Sequence, residues 1–116
     1  MKIGEFYAQG DIIIERVASI DASDPINVDP DGAVVLARGE VTGHRHAFYG
    51  GDVTMFRANE GDGGGLGDLY IGHIKVASSS AVLAHEEHRA ITLPKGTYRI
   101  RRQREFDAGM ARLVAD

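Results

Sequence analysis

Cysteine is absent from the 116-residue chain. The chain therefore has no disulfide, no thiolate zinc site and no cysteine nucleophile, and histidine and carboxylate are its only strong metal ligands. No apolar run approaches the ~20 residues that span a bilayer, and the N-terminal residues 1–6 lack the apolar core of a signal peptide. The net charge of −4 argues against nucleic-acid binding by the surface as a whole. These absences predict a cytoplasmic protein without a membrane segment.

Strand signals dominate what is present. Short runs rich in β-branched residues are bounded by glycine, proline and aspartate, and no segment sustains a helical period. About eight short strands at 8–12-residue spacing predict one all-β domain over residues 1–116, a small β-barrel or sandwich. We expect loops over 21–32 and 59–68, a turn at Pro94-Lys95-Gly96, and at most a short helix over 107–114. The predicted strands are 11–17, 33–37, 41–49, 53–57, 70–76, 81–84, 91–93 and 97–106.

All five histidines fall between positions 44 and 88, four of them in two pairs. His44 and His46 form an H-x-H pair, and strand side chains repeat every two residues, so a regular strand points both imidazoles to one face. The second pair, His85 and His88, differs in parity. Either a turn or bulge between them lets both converge on one ion, or only one of them binds. The sequence predicts a site for a divalent zinc, nickel, iron or manganese ion.

The acids between the second histidine pair are the candidate catalytic groups. Glu86 and Glu87 could supply a fourth ligand or a general base acting on metal-bound water, although exposed acids in a loop are commonly solvated charge alone. The isolated His73 is expected at the surface. Arginines at 99, 101, 102 and 104 could contact phosphate or nucleic acid. The favoured interpretation is a solvated strand whose charges discourage edge pairing and meet Glu105 and Asp107.

Two segments resemble elements of the cupin superfamily. Residues 39–46 (GEVTGHRH) are similar to its G-x-H-x-H element and residues 93–98 (LPKGTY) to its P-x-G element. The resemblance implies a small β-barrel that holds a divalent metal with histidines and often one carboxylate. Two departures stand out: no glutamate follows His46 within the motif, and the second histidine pair precedes the P-x-G element instead of following it.

The whole chain also resembles short bacterial or phage-associated proteins that combine a Gln-Gly-Asp start with G-E-V-T-G-H-x-H and H-E-E-H. The corresponding residues here are Gln9 to Asp11, Gly39 to His46 and His85 to His88. This second resemblance implies a compact all-β domain and no particular activity.

The leading interpretation is a cupin-like metal-binding protein, with a metal-dependent enzyme acting on a small polar substrate as one form of it. The missing glutamate counts against catalysis. The alternative is a structural or interaction module, phage-associated or part of an oligomer, with a structural metal or none. Small barrels often pair through exposed strand edges, so a homodimer or a higher oligomer is a further hypothesis.

Overall fold

The described part of the chain forms seven β-strands and no α-helix. A computed structural model describes residues 2–19, 25, 29–38, 43–57 and 67–103. One 3₁₀ turn, Gly67–Leu69, precedes the sixth strand. The all-β prediction is thereby confirmed, while the expected C-terminal helix lies outside the described residues. The strands are β1 Phe6–Gln9, β2 Ile12–Val17, β3 Val34–Arg38, β4 Arg45–Phe48, β5 Val53–Phe56, β6 Tyr70–Ala84 and β7 Ile91–Arg102.

The strands pair in one antiparallel sheet that stays open. Its order is β1-β2-β7-β6-β4-β3, and β5 also pairs with β6. Among the described strands β1 and β3 end this path, so the sheet does not close and the barrel alternative was wrong on this point. The long strand β6 carries β5 along its first half and β4 at its end. Although the sheet is open, the apolar residues of β2 to β7 pack together in one cluster.

The central hairpin of β6 and β7 is longer than predicted. Pro94-Lys95-Gly96 does not form a turn, because β7 runs through it without interruption. The irregularity appears on β6 instead: Val76 pairs with Gly96 and Ser80 with Pro94, so three residues of β6 face Lys95. A bulge of this kind accommodates a proline, which lacks the N–H that a regular ladder needs.

One apolar cluster receives side chains from β2 through β7. Ile14, Leu83, Leu93, Tyr98 and Ile100 are completely buried in it. Burial of this apolar surface is the main source of the domain's stability. The cluster also fixes the registers of the strands, since a slip of one residue would turn each apolar set toward solvent.

The basic segment lies in the middle of the sheet. β7 pairs with β2 on one side and β6 on the other, so its arginines do not protect an edge. Arg99 bonds to Glu15, its cross-strand neighbour, with a 2.6 Å contact from Nη2 to Oε1. The expected partners Glu105 and Asp107 lie outside the described residues. Arg99 therefore forms a cross-strand ion pair with Glu15.

His73 does not lie at the surface, contrary to expectation. It is 2% exposed on β6, and its Nδ1 lies 2.7 Å from the hydroxyl of Tyr70. His73 has the same parity as the exposed Lys75, and alternation along one strand does not show which part of a face other residues cover.

Candidate metal centre

Three separate segments meet at one end of the sheet. β4 pairs with β6 through Ala47 opposite Ala84 and Phe48 opposite Leu83. Continuation of that antiparallel register carries His46 toward His85, and their ring centroids lie 4.4 Å apart. The turn between β1 and β2, at residues 9–11, closes the site from the other side. The site is thus assembled by strand pairing between distant parts of the chain.

His46 is the most firmly held of the four clustered histidines. It is 6% exposed, and its Nδ1 lies 2.8 Å from Oε1 of Gln9. Gln9 is completely buried, and its amide nitrogen donates to the carbonyls of Leu83 and Arg89 at 3.0 and 2.9 Å. Since that nitrogen must donate to both carbonyls, Oε1 can only accept, and Nδ1 of His46 carries the proton. Its Nε2 therefore holds a free lone pair in the neutral ring.

The surroundings of His46 keep the ring neutral. Burial lowers the pKa of His46 to about 4, and the neighbouring His85 disfavours the charged form further. At neutral pH the side chain is a neutral imidazole that donates from Nδ1 and presents Nε2. Histidines that bind metals have this arrangement, in which a partner of the second nitrogen fixes the tautomer and the ring orientation.

Gly10 allows two histidine rings to lie against the backbone. A Cβ at this position would lie 2.8 Å from Nε2 of His88 and 3.4 Å from Cε1 of His46. Its φ of +59° is in the left-handed region, which L side chains rarely adopt. Glycine is required here both by conformation and by space, and it lets the β1–β2 turn approach the imidazoles.

The segment from His85 to His88 is a turn, which resolves the parity of the second pair. β6 ends at Ala84 and β7 begins at Ile91. The backbone N–H groups of Glu87 and His88 donate to Nδ1 of His85 at 3.0 and 3.3 Å. The turn places the rings of His85 and His88 4.6 Å apart, and that of His88 6.2 Å from His46. Both members of the pair therefore reach the same cluster.

The ring spacings are close to those of a shared ion. Two imidazoles bound to one ion by bonds of about 2.1 Å have centroids about 4.6–5.3 Å apart in octahedral or tetrahedral geometry. The separations of His85 from His46 and His88 are 4.4 and 4.6 Å. The 6.2 Å between the ring centroids of His46 and His88 is too long for a shared ion and must shorten; His88 is exposed.

His44 lies on the other side of His85, outside β4. Its ring is 5.6 Å from that of His85, and its Nδ1 is 3.7 Å from Oε1 of Glu87. One ligand atom each from His44, His85 and Glu86 lie within 4.8 Å of one another. β4 begins only at Arg45, so His44 lies outside the regular strand from which both imidazoles were expected to project.

The two candidate catalytic acids differ in their surroundings. Oε1 of Glu86 accepts a hydrogen bond of 2.9 Å from the backbone N–H of Arg45. That bond lowers the pKa of Glu86, which favours a carboxylate ligand over a proton acceptor. Glu87 has a side chain that is 69% exposed. Both lie on the turn that carries His85 and His88, beside the cluster.

Asp11 belongs to the site, although the pattern of histidines gave no sign of it. Its Oδ1 lies 3.9 Å from Nε2 of His46, while its Oδ2 accepts a 3.0 Å hydrogen bond from Arg102. Ligand atoms on a common ion lie about 3.0–3.5 Å apart, so a small shift of this exposed carboxylate suffices. The sequence feature that could have pointed to Asp11 is the Gln-Gly-Asp triplet, because Gln9, Gly10 and Asp11 all lie beside the histidines.

Residues 8–103 match the family described as DUF8820, a domain of unknown function. The match covers most of the chain, which therefore belongs to this family. No curated protein and no solved structure matches the chain. No helix among the described residues has both the length and the apolar character needed to cross a membrane.

Proposed function

We propose that this DUF8820 domain binds a divalent transition-metal ion through His46, His85 and His88, with the carboxylate of Asp11 as a further ligand. The observation that carries the proposal is the buried hydrogen bond between Gln9 and His46. It fixes Nδ1 as the donor and leaves Nε2 as a lone pair beside two other imidazoles. A neutral, buried histidine whose Nδ1–H is held by a partner is the arrangement typical of a histidine that coordinates an ion through Nε2.

The donor set differs from that of a cupin. The carboxylate comes from the β1–β2 turn instead of from the residues that follow H-x-H. It replaces, in chemical type, the glutamate that the motif lacks. Nitrogen ligands with a single carboxylate suit zinc, nickel, iron or manganese better than calcium or magnesium, which prefer oxygen.

Binding requires a change at the 85–88 turn. Nδ1 of His85 now accepts two backbone hydrogen bonds, so its neutral ring carries the proton on Nε2. To bind through Nε2 the ring must move that proton to Nδ1, and to bind through Nδ1 it must displace the two N–H groups. In either case the hydrogen bonds from Glu87 and His88 break. Metal addition should therefore shift the amide resonances of these two residues more than those of the sheet.

A second possible set of ligands is His44, His85 and Glu86. The ligand atoms of His44, His85 and Glu86 are within 4.8 Å of one another. Both arrangements share His85, and they differ in whether His46 or His44 takes part. Substitution of each in turn separates them.

The decisive experiment is titration calorimetry and elemental analysis of the purified chain with zinc, nickel, iron and manganese. In His46→Asn the amide nitrogen of asparagine replaces Nδ1 as a donor to Gln9, while Nε2 is removed. We expect one ion per chain in the wild type. In this variant we expect a loss of affinity of at least about 10- to 100-fold, which is the loss that mutation of a ligand's outer-shell partner alone causes. His73→Asn is the matched control, because this buried histidine lies outside the cluster and its loss should leave the stoichiometry unchanged.

Four outcomes divide the possibilities. A wild-type chain that holds no stoichiometric ion contradicts the proposal. If His44→Ala abolishes binding and His46→Asn does not, the second arrangement is correct. If removal of the ion by a chelator lowers the melting temperature sharply and no exchangeable water is present on the ion, the site is structural. An ion with an exchangeable water favours a metal-dependent enzyme.

A further inference from the structure

The histidine cluster opens into a polar pocket that also contains two arginines. The pocket has a volume of about 250 Å³, equal to about eight water molecules. His46, His85 and His88 form one part of its lining. The rest of the lining is Asp11, Ala37, Arg38 and Arg102. Any ligand that reached the ion through this pocket would meet the guanidinium groups as well.

The charges of the lining are unbalanced. The lining contains two guanidinium groups, those of Arg38 and Arg102, and one carboxylate, that of Asp11. A divalent ion bound at the histidines adds two further positive charges. Such a pocket, partly shielded from water, attracts an anion and disfavours a cationic or neutral ligand of the same shape.

The carboxylate of Asp11 lies near both His46 and one of the arginines. Its Oδ1 lies 3.9 Å from Nε2 of His46, and its Oδ2 accepts a 3.0 Å hydrogen bond from Nη1 of Arg102. When Asp11 turns toward the ion, it releases part of the hydrogen-bonding capacity of Arg102. Arg38 is held from outside the pocket by Asp29, with a side chain that remains 56% exposed. Both guanidinium groups can then donate into the pocket.

We infer that the pocket binds a small oxyanion-bearing molecule, a carboxylate or a phosphate of up to about ten non-hydrogen atoms. One oxygen of its anionic group would coordinate the ion, and the remaining oxygen of a carboxylate, or oxygens of a phosphate, would accept hydrogen bonds from Arg102 and Arg38. Guanidinium groups suit this chemistry because they present two parallel donors to a carboxylate or phosphate. The inference rests on the proposed metal site and names the ligand class of that site.

The test is calorimetric titration of the full-length, metal-loaded chain with malonate, inorganic phosphate and malonamide. Malonamide matches malonate in size and lacks its charge. We expect malonate or phosphate to bind at least tenfold more tightly than malonamide. Malonate alone identifies a carboxylate site, and phosphate alone identifies a phosphate site.

Arginine variants show whether the guanidinium groups are responsible. Arg102→Gln and Arg38→Gln should each weaken anion binding about 10- to 100-fold, the usual effect of removing a charged hydrogen-bond donor. Arg57→Gln removes the same charge at an exposed position outside the pocket lining and should change the affinity less than twofold. Equal effects of all three variants would show general charge attraction and overturn the inference.

Failure of this inference can be distinguished from failure of the metal proposal. Metal affinity is measured first for every variant. If the ion binds and neither anion does, the metal site stands and the anion site is wrong. If no ion binds, the same titrations are made on the metal-free chain. Binding that depends on Arg38 and Arg102 then still supports an anion site, and its absence overturns both proposals.

Discussion

Replacement of Gln9 by leucine tests the network on which the site depends. Gln9 is completely buried and makes three hydrogen bonds, two to the carbonyls of Leu83 and Arg89 and one from His46. Leucine has a similar volume and cannot make any of them. The substitution removes the bonds without creating a large cavity, so the loss of stability reports mainly on the polar groups left behind.

The magnitude follows from what each partner can do afterwards. Nδ1 of His46 stays buried without an acceptor, at a cost of about 1–3 kcal/mol. The carbonyl of Leu83 is buried within the hairpin and contributes about 1 kcal/mol more, whereas Arg89 is exposed and its carbonyl can reach water. The added apolar surface of leucine offsets part of this. We expect a net loss of about 2–4 kcal/mol in the free energy of unfolding.

Urea denaturation of the metal-free chain, followed by circular dichroism, measures this loss. For a chain of this size the melting temperature should fall by roughly 8–16 °C. Gln103→Leu is the control, because Gln103 is only partly buried and its hydrogen bond to the carbonyl of Asp11 comes from its backbone N–H. A loss below 1 kcal/mol in Gln9→Leu, or metal affinity equal to that of the wild type, would refute the reasoning.

Three further predictions use the same site. The folded-state pKa of His46, about 4, lies below the unfolded value of 6.5, so stability should be complete above pH 6.5. It should fall by about 2.5 kcal/mol as the pH falls to 4.5. Urea denaturation at a series of pH values should show this loss in the wild type and a smaller one in His46→Asn. Gly10→Ala should destabilise the fold and weaken metal binding, because the added Cβ meets His88. Gly32→Ala is the control: its φ is also positive, but nothing lies within 4 Å of the added Cβ. This control should cost only about 1 kcal/mol, and calorimetry should show unchanged metal binding. Glu86→Gln should change unfolding free energy by less than 1 kcal/mol, since its carboxylate is exposed, while a large loss of metal affinity would favour the second ligand arrangement.

Local patterns in the sequence predicted the strands well where periodicity and β-branched residues coincide. Segments 11–17, 33–37 and 53–57 closely match β2, β3 and β5. Predictions failed where the sequence favours a turn and the sheet overrides it. Pro94-Lys95-Gly96 continues through β7 because the opposite strand takes up the irregularity as a bulge, and a single segment contains no information about the strand opposite.

The sequence by itself determined that this is an all-β chain whose possible metal ligands are histidines and carboxylates, since composition and local alternation are properties of the chain alone. Tertiary structure decided which of those groups meet. His46 lies 37 residues from Gln9, and only the pairing of β4 with β6 and of β2 with β7 brings residues 9–11 to the imidazoles. Alternation along a strand tells which face a side chain occupies, but the neighbours across that face depend on strand order and register, which arise from burial of the shared core.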